Sequence, residues 1–330
     1  MAFADLQDRL AALRAQLCPP LLYVQIQDQA VTAMALGGRQ VLWLERLPLP
    51  EGVCRHGVPL VPVALGDLIG DWLLERGYGG AQVKAVLPPS ACSWRVLDPP
   101  PAMGSADLHS WAEGMAEQLG LVWAEGGCLE AVDVLCEPLG EQPSKVLMVV
   151  VARALLEGWL EVFDQAGCSL AALQPACLCT WNGLVPLRQA SVLPLGSPGL
   201  LMVETRQTWL FELSPQHPVT QWYLPCLDGV NEWLGSLRFL MQCDDCGGPE
   251  RAVPAERQEL LLVGDGSQAD WMEPTLTPLS AASRGGVRLI DPLQMGWLGW
   301  QDTTSMAGGL QSMPWLLWGL AVPDLSPGPL

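Results

Sequence analysis

From Tyr23 to Leu36 the chain reads YVQIQDQAVTAMAL. Val24 and Ile26 alternate with polar neighbours, a polar turn follows, and Val31 to Leu36 returns as an apolar run. Period-two alternation on both sides of a short turn predicts a β-hairpin. RQVLWLERLPLP predicts a third strand running into prolines. In PVALGDLIGDWLLERGY, Leu65, Leu68, Ile69, Trp72 and Leu73 fall on one face of a helix. AQVKAVLPP then reads as a buried strand stopped by two prolines. Hairpin, strand, helix and strand together predict a compact α/β core.

A second unit follows the prolines. SWRVLDPPP is a strand, and SADLHSWAEGMAEQLG is a helix with Ser105 expected as its N-cap. LEAVDVLCEPL and SKVLMVVVARA are strands, and LLEGWLEVFDQAG is a helix closed by Gly167. This small α/β module interrupts the first lobe, to which LAALQPACLCTWNGLVPL returns. After the linker GSPG, GLLMVETRQTWLFEL repeats the opening design: apolar strand, short polar turn, apolar strand. GVNEWLGSLRFLMQ predicts a helix, LLLVGDGSQ a strand ending in a glycine turn, GVRLIDPLQ another strand, and MPWLLWGLAV a closing segment. Before all of this, DLQDRLAALRAQL spaces Leu6, Leu10, Leu13 and Leu17 as one helical face, to lie on its own domain, a partner or a membrane.

Composition narrows the function classes. The 330 residues, half of them hydrophobic, allow real cores and exclude a disordered chain. Lys+Arg 17 against Asp+Glu 35 gives a formal net charge of -18, unsuited to nucleic acid or to a polybasic grip on anionic lipid. The two lysines, Lys84 and Lys145, follow no glycine-rich turn, so a Walker-type P-loop is excluded. The 11 cysteines lack a disulfide framework and read as buried thiols of a cytoplasmic protein. Cys243 and Cys246 have the spacing of half a zinc site but no second pair, and Cys177, Cys179, His56, His109 and His217 complete none, so structural thiols are favoured. No signal peptide or spanning segment is expected. Of 15 tryptophans, Trp72, Trp111 and Trp159 sit at core spacing, whereas Trp297, Trp300, Trp315 and Trp318 leave core packing and a contact patch both open.

The order of these elements resembles the actin-like ATPase fold, and its details look like the PilM family of type IV pilus assembly proteins. YVQIQDQAVTAMAL aligns without a gap to that family's opening strand and turn, GIDIGSSSVKVVEL. LPPSACSWRVLDPP matches the strand entering the family's inserted module, and VLMVVVARALLEGWLEVFDQAGCSLAALQP matches a strand and helix ending at alanine-glycine. LGSLRFLMQ resembles a second-lobe helix, LLLVGDGSQADWMEPTL the adenosine loop, and VRLIDPLQM and WGLAV the closing elements. The resemblance implies an α/β, two-lobed fold with an SHS2-like module inserted in the first lobe. Its divisions are 1–19 (amphipathic helix), 20–91 (first lobe), 92–169 (inserted module), 170–195 (first-lobe return), 196–302 (second lobe) and 303–330 (C-terminal return).

The departures concentrate where ATP would sit. The family's first aspartate falls on Gln25 and its first glycine on Gln27, followed by Asp28 and Gln29. A neutral amide cannot organise a magnesium-bound water network, and a side chain at Gln27 obstructs backbone approach to phosphate. In the second hairpin the family's DIG falls on Glu204, Thr205 and Arg206, and only Gly264, Asp265, Gly266 and Ser267 keep the look of an adenosine turn. The resemblance therefore implies a degenerate ATP site with no catalytic or metal residues and at most weak ATP and magnesium binding. It implies a cytoplasmic adaptor, peripheral to the inner membrane, that binds the cytoplasmic peptide of a PilN-like protein between the first lobe and the module. Other type IV pilus assembly proteins, and a homo-oligomer, are further expected partners. The rival readings are an active actin-like ATPase and a GspL-like type II secretion component.

Overall fold

The computed structural model describes residues 19–100, 103, 105–119, 124–125, 128–129, 132–139, 145–189, 199–203, 207–213, 217–225, 260–264, 286–300, 310 and 312–325. The predicted helix before Pro19 and the predicted second-lobe helix at GVNEWLGSLRFLMQ lie outside these residues. The alternating stretch Tyr23 to Leu36 folds as β1 (Leu21–Ile26) and β2 (Ala30–Gly37), antiparallel, and β3 (Gln40–Pro48) adds to β2. Two strands of two residues, β4 (Cys54–Arg55) and β5 (Val58–Pro59), form a small hairpin. They lead to α1 (Pro62–Glu75), and β6 (Gln82–Leu87) then returns parallel to β1.

The next elements are β7 (Cys92–Leu97), α2 (Ser105–Gln118), the pair β8 (Ala124–Glu125) and β9 (Cys128–Leu129), β10 (Val132–Leu139), β11 (Lys145–Ala152) and α3 (Arg153–Gln165). Helix α2 starts on Ser105 itself, not after it as an N-cap would require. Then β12 (Ser169–Pro175) enters the first sheet beside β6, followed by α4 (Ala176–Gly183) and α5 (Val185–Gln189). The remaining elements are β13 (Gly199–Val203), β14 (Gln207–Leu213), β15 (Pro218–Pro225), β16 (Leu260–Gly264), β17 (Val287–Leu289), β18 (Gly299–Trp300) and α6 (Trp315–Ala321).

Three larger sheets result, ordered β12-β6-β1-β2-β3-β18, β10-β11-β7 and β15-β14-β13-β16-β17. The first and third repeat one plan. Strand β1 pairs antiparallel with β2 and parallel with β6, as β13 does with β14 and β16. The molecule is thus a two-lobed α/β fold with a small α/β layer inserted in the first lobe.

Close helix packing sets the first lobe. Leu65, Ile69, Trp72 and Leu73 of α1 are buried as their spacing predicts. A Cβ on Gly66 would stand 2.7 Å from the Val162 carbonyl of α3, so glycine is what lets these two helices approach. At the other end of the chain, α6 packs on α4, β1 and β6. Trp318 donates its indole N–H to the Gly183 carbonyl at 3.0 Å and stacks on Trp297 with centroids 5.5 Å apart. Trp297, Trp315 and Trp318 are buried and Trp300 is half-buried against the same core, so these four pack as core. Trp72 and Trp159 are buried as expected.

Two polar contacts fasten the C-terminal return. Asp324 accepts the Tyr23 hydroxyl at 3.0 Å and the Lys84 ammonium at 2.6 Å, from residues that are direct partners in β1 and β6. Buried Asp291 accepts the Leu293 amide at 3.0 Å and the Met313 amide at 3.4 Å, both on Oδ1.

Removing Asp324 strands the buried Tyr23 hydroxyl, so Asp324→Ala is expected to cost about 1–3 kcal/mol in urea denaturation. Lys84→Met should cost only about 0–1 kcal/mol, because that partly exposed pair is screened. For Asp291, burial raises the carboxyl pKa and the Leu293 and Met313 amides oppose the shift. A raised folded-state pKa gives stability that is complete below the unfolded value and lost as pH rises through the folded one. Asp291→Asn keeps the accepting oxygen and should match or exceed the wild type in melting temperature at pH 7, with the difference shrinking toward pH ~4. Asp291→Leu should cost about 1–3 kcal/mol by leaving two amides unpaired.

Candidate functional site

In open α/β sheets, ligands bind beyond the carboxyl ends of parallel strands. Here Gln25 of β1 and Gln174 of β12 both lie opposite Val86 of β6, so the two residues flank β6 at that end. Gln25 is 1% exposed, and its Oε1 has no hydrogen-bond partner among the described residues. Gln174 Oε1 accepts the Cys179 thiol at 3.6 Å. Beyond β1 the chain turns tightly, with the Gln27 amide donating to the Ala30 carbonyl at 3.0 Å and the Leu49 amide to the Gln29 carbonyl at 2.7 Å.

Asp28, the sole acid of that turn, faces the hairpin β4–β5. Its Oδ2 accepts the His56 amide at 3.0 Å and its Oδ1 the Gly57 amide at 2.8 Å. The Cys54 thiol also points at Oδ1, at 3.9 Å; burial first and Asp28 second push its pKa up to about 12, so it stays a protonated donor. Both carboxylate oxygens are therefore committed inside the protein.

In the second lobe, Val203 of β13 lies opposite Gly264 of β16 and Thr208 of β14, the latter buried with an Oγ1 that has no partner among the described residues. Glu204, Thr205, Arg206, Asp265, Gly266 and Ser267 lie outside the described residues. The structure thus brings Gln25, Gln27, Asp28 and Gln29 together in the first lobe and places Gly264 at the equivalent end of the second sheet. This described turn does not fit magnesium-bound phosphate. Gln25 supplies an amide where a metal's water shell needs a carboxylate, and Asp28 is spent on backbone amides.

A second feature is a pair of exposed leucines, Leu135 on β10 and Leu160 on α3. Arg153, the first residue of α3, pairs with Asp133 of β10 at 2.9 Å. On α3, Leu156, Glu157 and Leu160 share the flank of Arg153 by helical spacing. On β10, Leu135 shares the face of Asp133 by strand alternation, and it lies opposite the buried Val149 of β11. Leu135 is 47% exposed and Leu160 55%. Trp159, the neighbour of Leu160, donates its indole N–H to the Gly57 carbonyl at 2.6 Å. The sequence placed these residues in elements, and the Arg153–Asp133 pairing shows where the start of α3 meets β10.

No family model matches the chain, and no curated protein does. Among solved structures, a chain of the PilM-PilN type IV pilus biogenesis complex is similar with a TM-score of 0.70 and 18% identity, over 93% of this chain and 99% of that one. The cytoplasmic domain of EpsL, an inner membrane component of the type II secretion system of Vibrio cholerae, has a TM-score of 0.50 and 11% identity, over 93% and 95%. A protein of unknown function from Bacteroides thetaiotaomicron, with an actin-like ATPase fold, has a TM-score of 0.48 and 9% identity, over 83% and 91%. No helix among the described residues is long and apolar enough to cross a membrane. The duplicated sheet plan, the inserted layer and the end-to-end likeness to the chain from the PilM-PilN complex give this protein the actin-like ATPase fold.

Proposed function

We propose that this chain is a PilM-like adaptor of type IV pilus assembly that works by binding and does not hydrolyse ATP. The observation that carries the reading is the exposure of Leu135 on β10 and Leu160 on α3, elements joined by the Arg153–Asp133 pair, and the binding trough is proposed between them. An extended peptide with apolar side chains fills such a place through pockets and edge-strand hydrogen bonds. The fold likeness supplies the partner class: the similar chain comes from a complex with PilN. The proposed partner is the short cytoplasmic tail of a PilN-like protein, which would hold the adaptor at the inner membrane. In this reading residues 92–169 are the SHS2-like module, set between 20–91 and 170–195 of the first lobe, with 196–302 as the second lobe. The likeness to the EpsL domain favours, as a second reading, the corresponding position in a type II secretion system.

The commitment of Asp28, together with Gln25 and Gln27 in the phosphate turn, supports the loss of ATP chemistry. Each lost phosphate or metal contact costs about 1–3 kcal/mol, so two or three weaken ATP by about two to four powers of ten. Calorimetry with magnesium-ATP should therefore give weak binding or none, and a phosphate-release assay no turnover. Micromolar affinity with turnover that disappears in Glu204→Ala would defeat the reading. For the peptide, Leu135→Glu and Leu160→Glu should each weaken the tail of a PilN-like protein at least ~10-fold, about 1.4 kcal/mol, with an unchanged circular dichroism spectrum. Wild-type affinity in both variants would remove the trough from the account.

A further inference from the structure

Strands β4 and β5 pair Arg55 with Val58, which leaves His56 and Gly57 as a two-residue turn. Both have positive φ, 51° and 77°, as such a turn requires, and His56 is the sole non-glycine residue with positive φ among those described. Asp28 holds this turn from outside by accepting both successive amides, His56 at 3.0 Å and Gly57 at 2.8 Å. Hydrogen bonds to a carboxylate are of the stronger kind.

The inserted layer hangs on two chain crossings. The chain enters it at Cys92, the first residue of β7, and leaves it at Ala152, the last of β11. The crossings lie side by side, since Cys92 is opposite Val151. The His56–Gly57 turn meets both of them. On the entry side, a Cβ on Gly57 would stand 2.7 Å from Pro88 and 2.9 Å from Ala91, so the turn packs directly on the short 3-10 segment Pro89–Ala91 that precedes β7. On the exit side, the Gly57 carbonyl accepts the Trp159 indole N–H of α3 at 2.6 Å. Pro59 abuts Gly158 of the same helix, where an added Cβ would be 2.8 Å away. The second lobe reaches this corner too, because Gln221 of β15 donates its side-chain N–H to the Pro89 carbonyl at 3.2 Å.

From these contacts we infer that Asp28 locks the hinge of the inserted layer. Its carboxylate holds the β4–β5 turn against both crossings and so fixes the angle between the layer and the first lobe. Packed units joined by short adjacent connections rotate about them unless something fills the join. Here the filler is the turn, and its backbone is held by Asp28. With the carboxylate in place the layer keeps one angle without any ligand. The lock is separate from whatever the exposed leucines bind.

Hydrogen exchange and a spin-label distance test it on the whole chain. The labels replace exposed Leu74 on α1 and exposed Leu119 after α2, as unnatural amino acids that spare the 11 cysteines. Asp28→Asn retains one accepting oxygen of two. It should speed exchange about 10-fold over 89–97 and 153–160 while 312–325 stays unchanged. It should also broaden a distance distribution that is a single narrow peak in the wild type. Trp159→Phe keeps an aromatic ring but loses the donor, and should speed exchange over 153–160 and not over 89–97. Lys84→Met, at the Asp324 contact, should alter neither stretch. Faster exchange confined to 54–59 in Asp28→Asn, or an unchanged distance distribution, overturns the lock. An equal rise that includes 312–325 makes Asp28 a general brace for stability and also overturns it. Should Asp28→Asn fail to fold, Trp159→Phe decides, and wild-type exchange over 153–160 in that variant overturns the inference.

Discussion

The Gly57 carbonyl receives the Trp159 indole N–H at 2.6 Å in a buried setting, and the first lobe is arranged around that contact. An indole N–H enclosed by apolar groups gains by finding an acceptor, and Trp159 finds one in the β4–β5 turn. The turn needs both positive-φ residues to offer that carbonyl, and Asp28 needs the turn to satisfy its oxygens. Helix α3 is then brought against α1, where Gly66 removes the side chain that would hold the helices apart. One buried donor, one strained turn and one carboxylate thus link the strand β1 turn to the helix that borders the inserted layer.

The fold of this molecule rests on its strand pairing. The strand plan depends on apolar alternation and on the parallel pairing of β1 with β6 and β13 with β16, none of which needs a phosphate. Binding chemistry lives in a few turn residues placed on that plan. Here Gln25 fills the end of β1 as a buried amide, Asp28 turns to backbone amides, and the exposed Leu135 and Leu160 lie on other elements. Turn residues can therefore differ while the architecture stays the same.

Elements with a long apolar period were legible in the chain. β1, β2, α1 and α3 follow their patterns because each buries one face against the core. Strands β4 and β5 were not, since two residues carry no period. The role of Asp28 was also hidden, because its partners His56 and Gly57 are 28 and 29 positions away and offer backbone amides, which have no residue identity. Ser105 carried the local signature of an N-cap, yet helix α2 already includes it. The late tryptophans looked equally suited to core or surface until α6 was seen to pack on α4, β1 and β6. Gln25 and Gln27 were legible as departures from the expected turn, whereas the Arg153–Asp133 pair was not, because it joins residues 20 positions apart.

The central claim is that this fold meets its partner at the α3–β10 trough and not at the former phosphate turn. Site-specific photo-cross-linking tests it most directly, with a benzophenone side chain at position 160 or at position 29 and membranes bearing a PilN-like protein. The account predicts a cross-link to the cytoplasmic tail from position 160 and none from position 29. A tail captured from position 29, with position 160 silent, would contradict it.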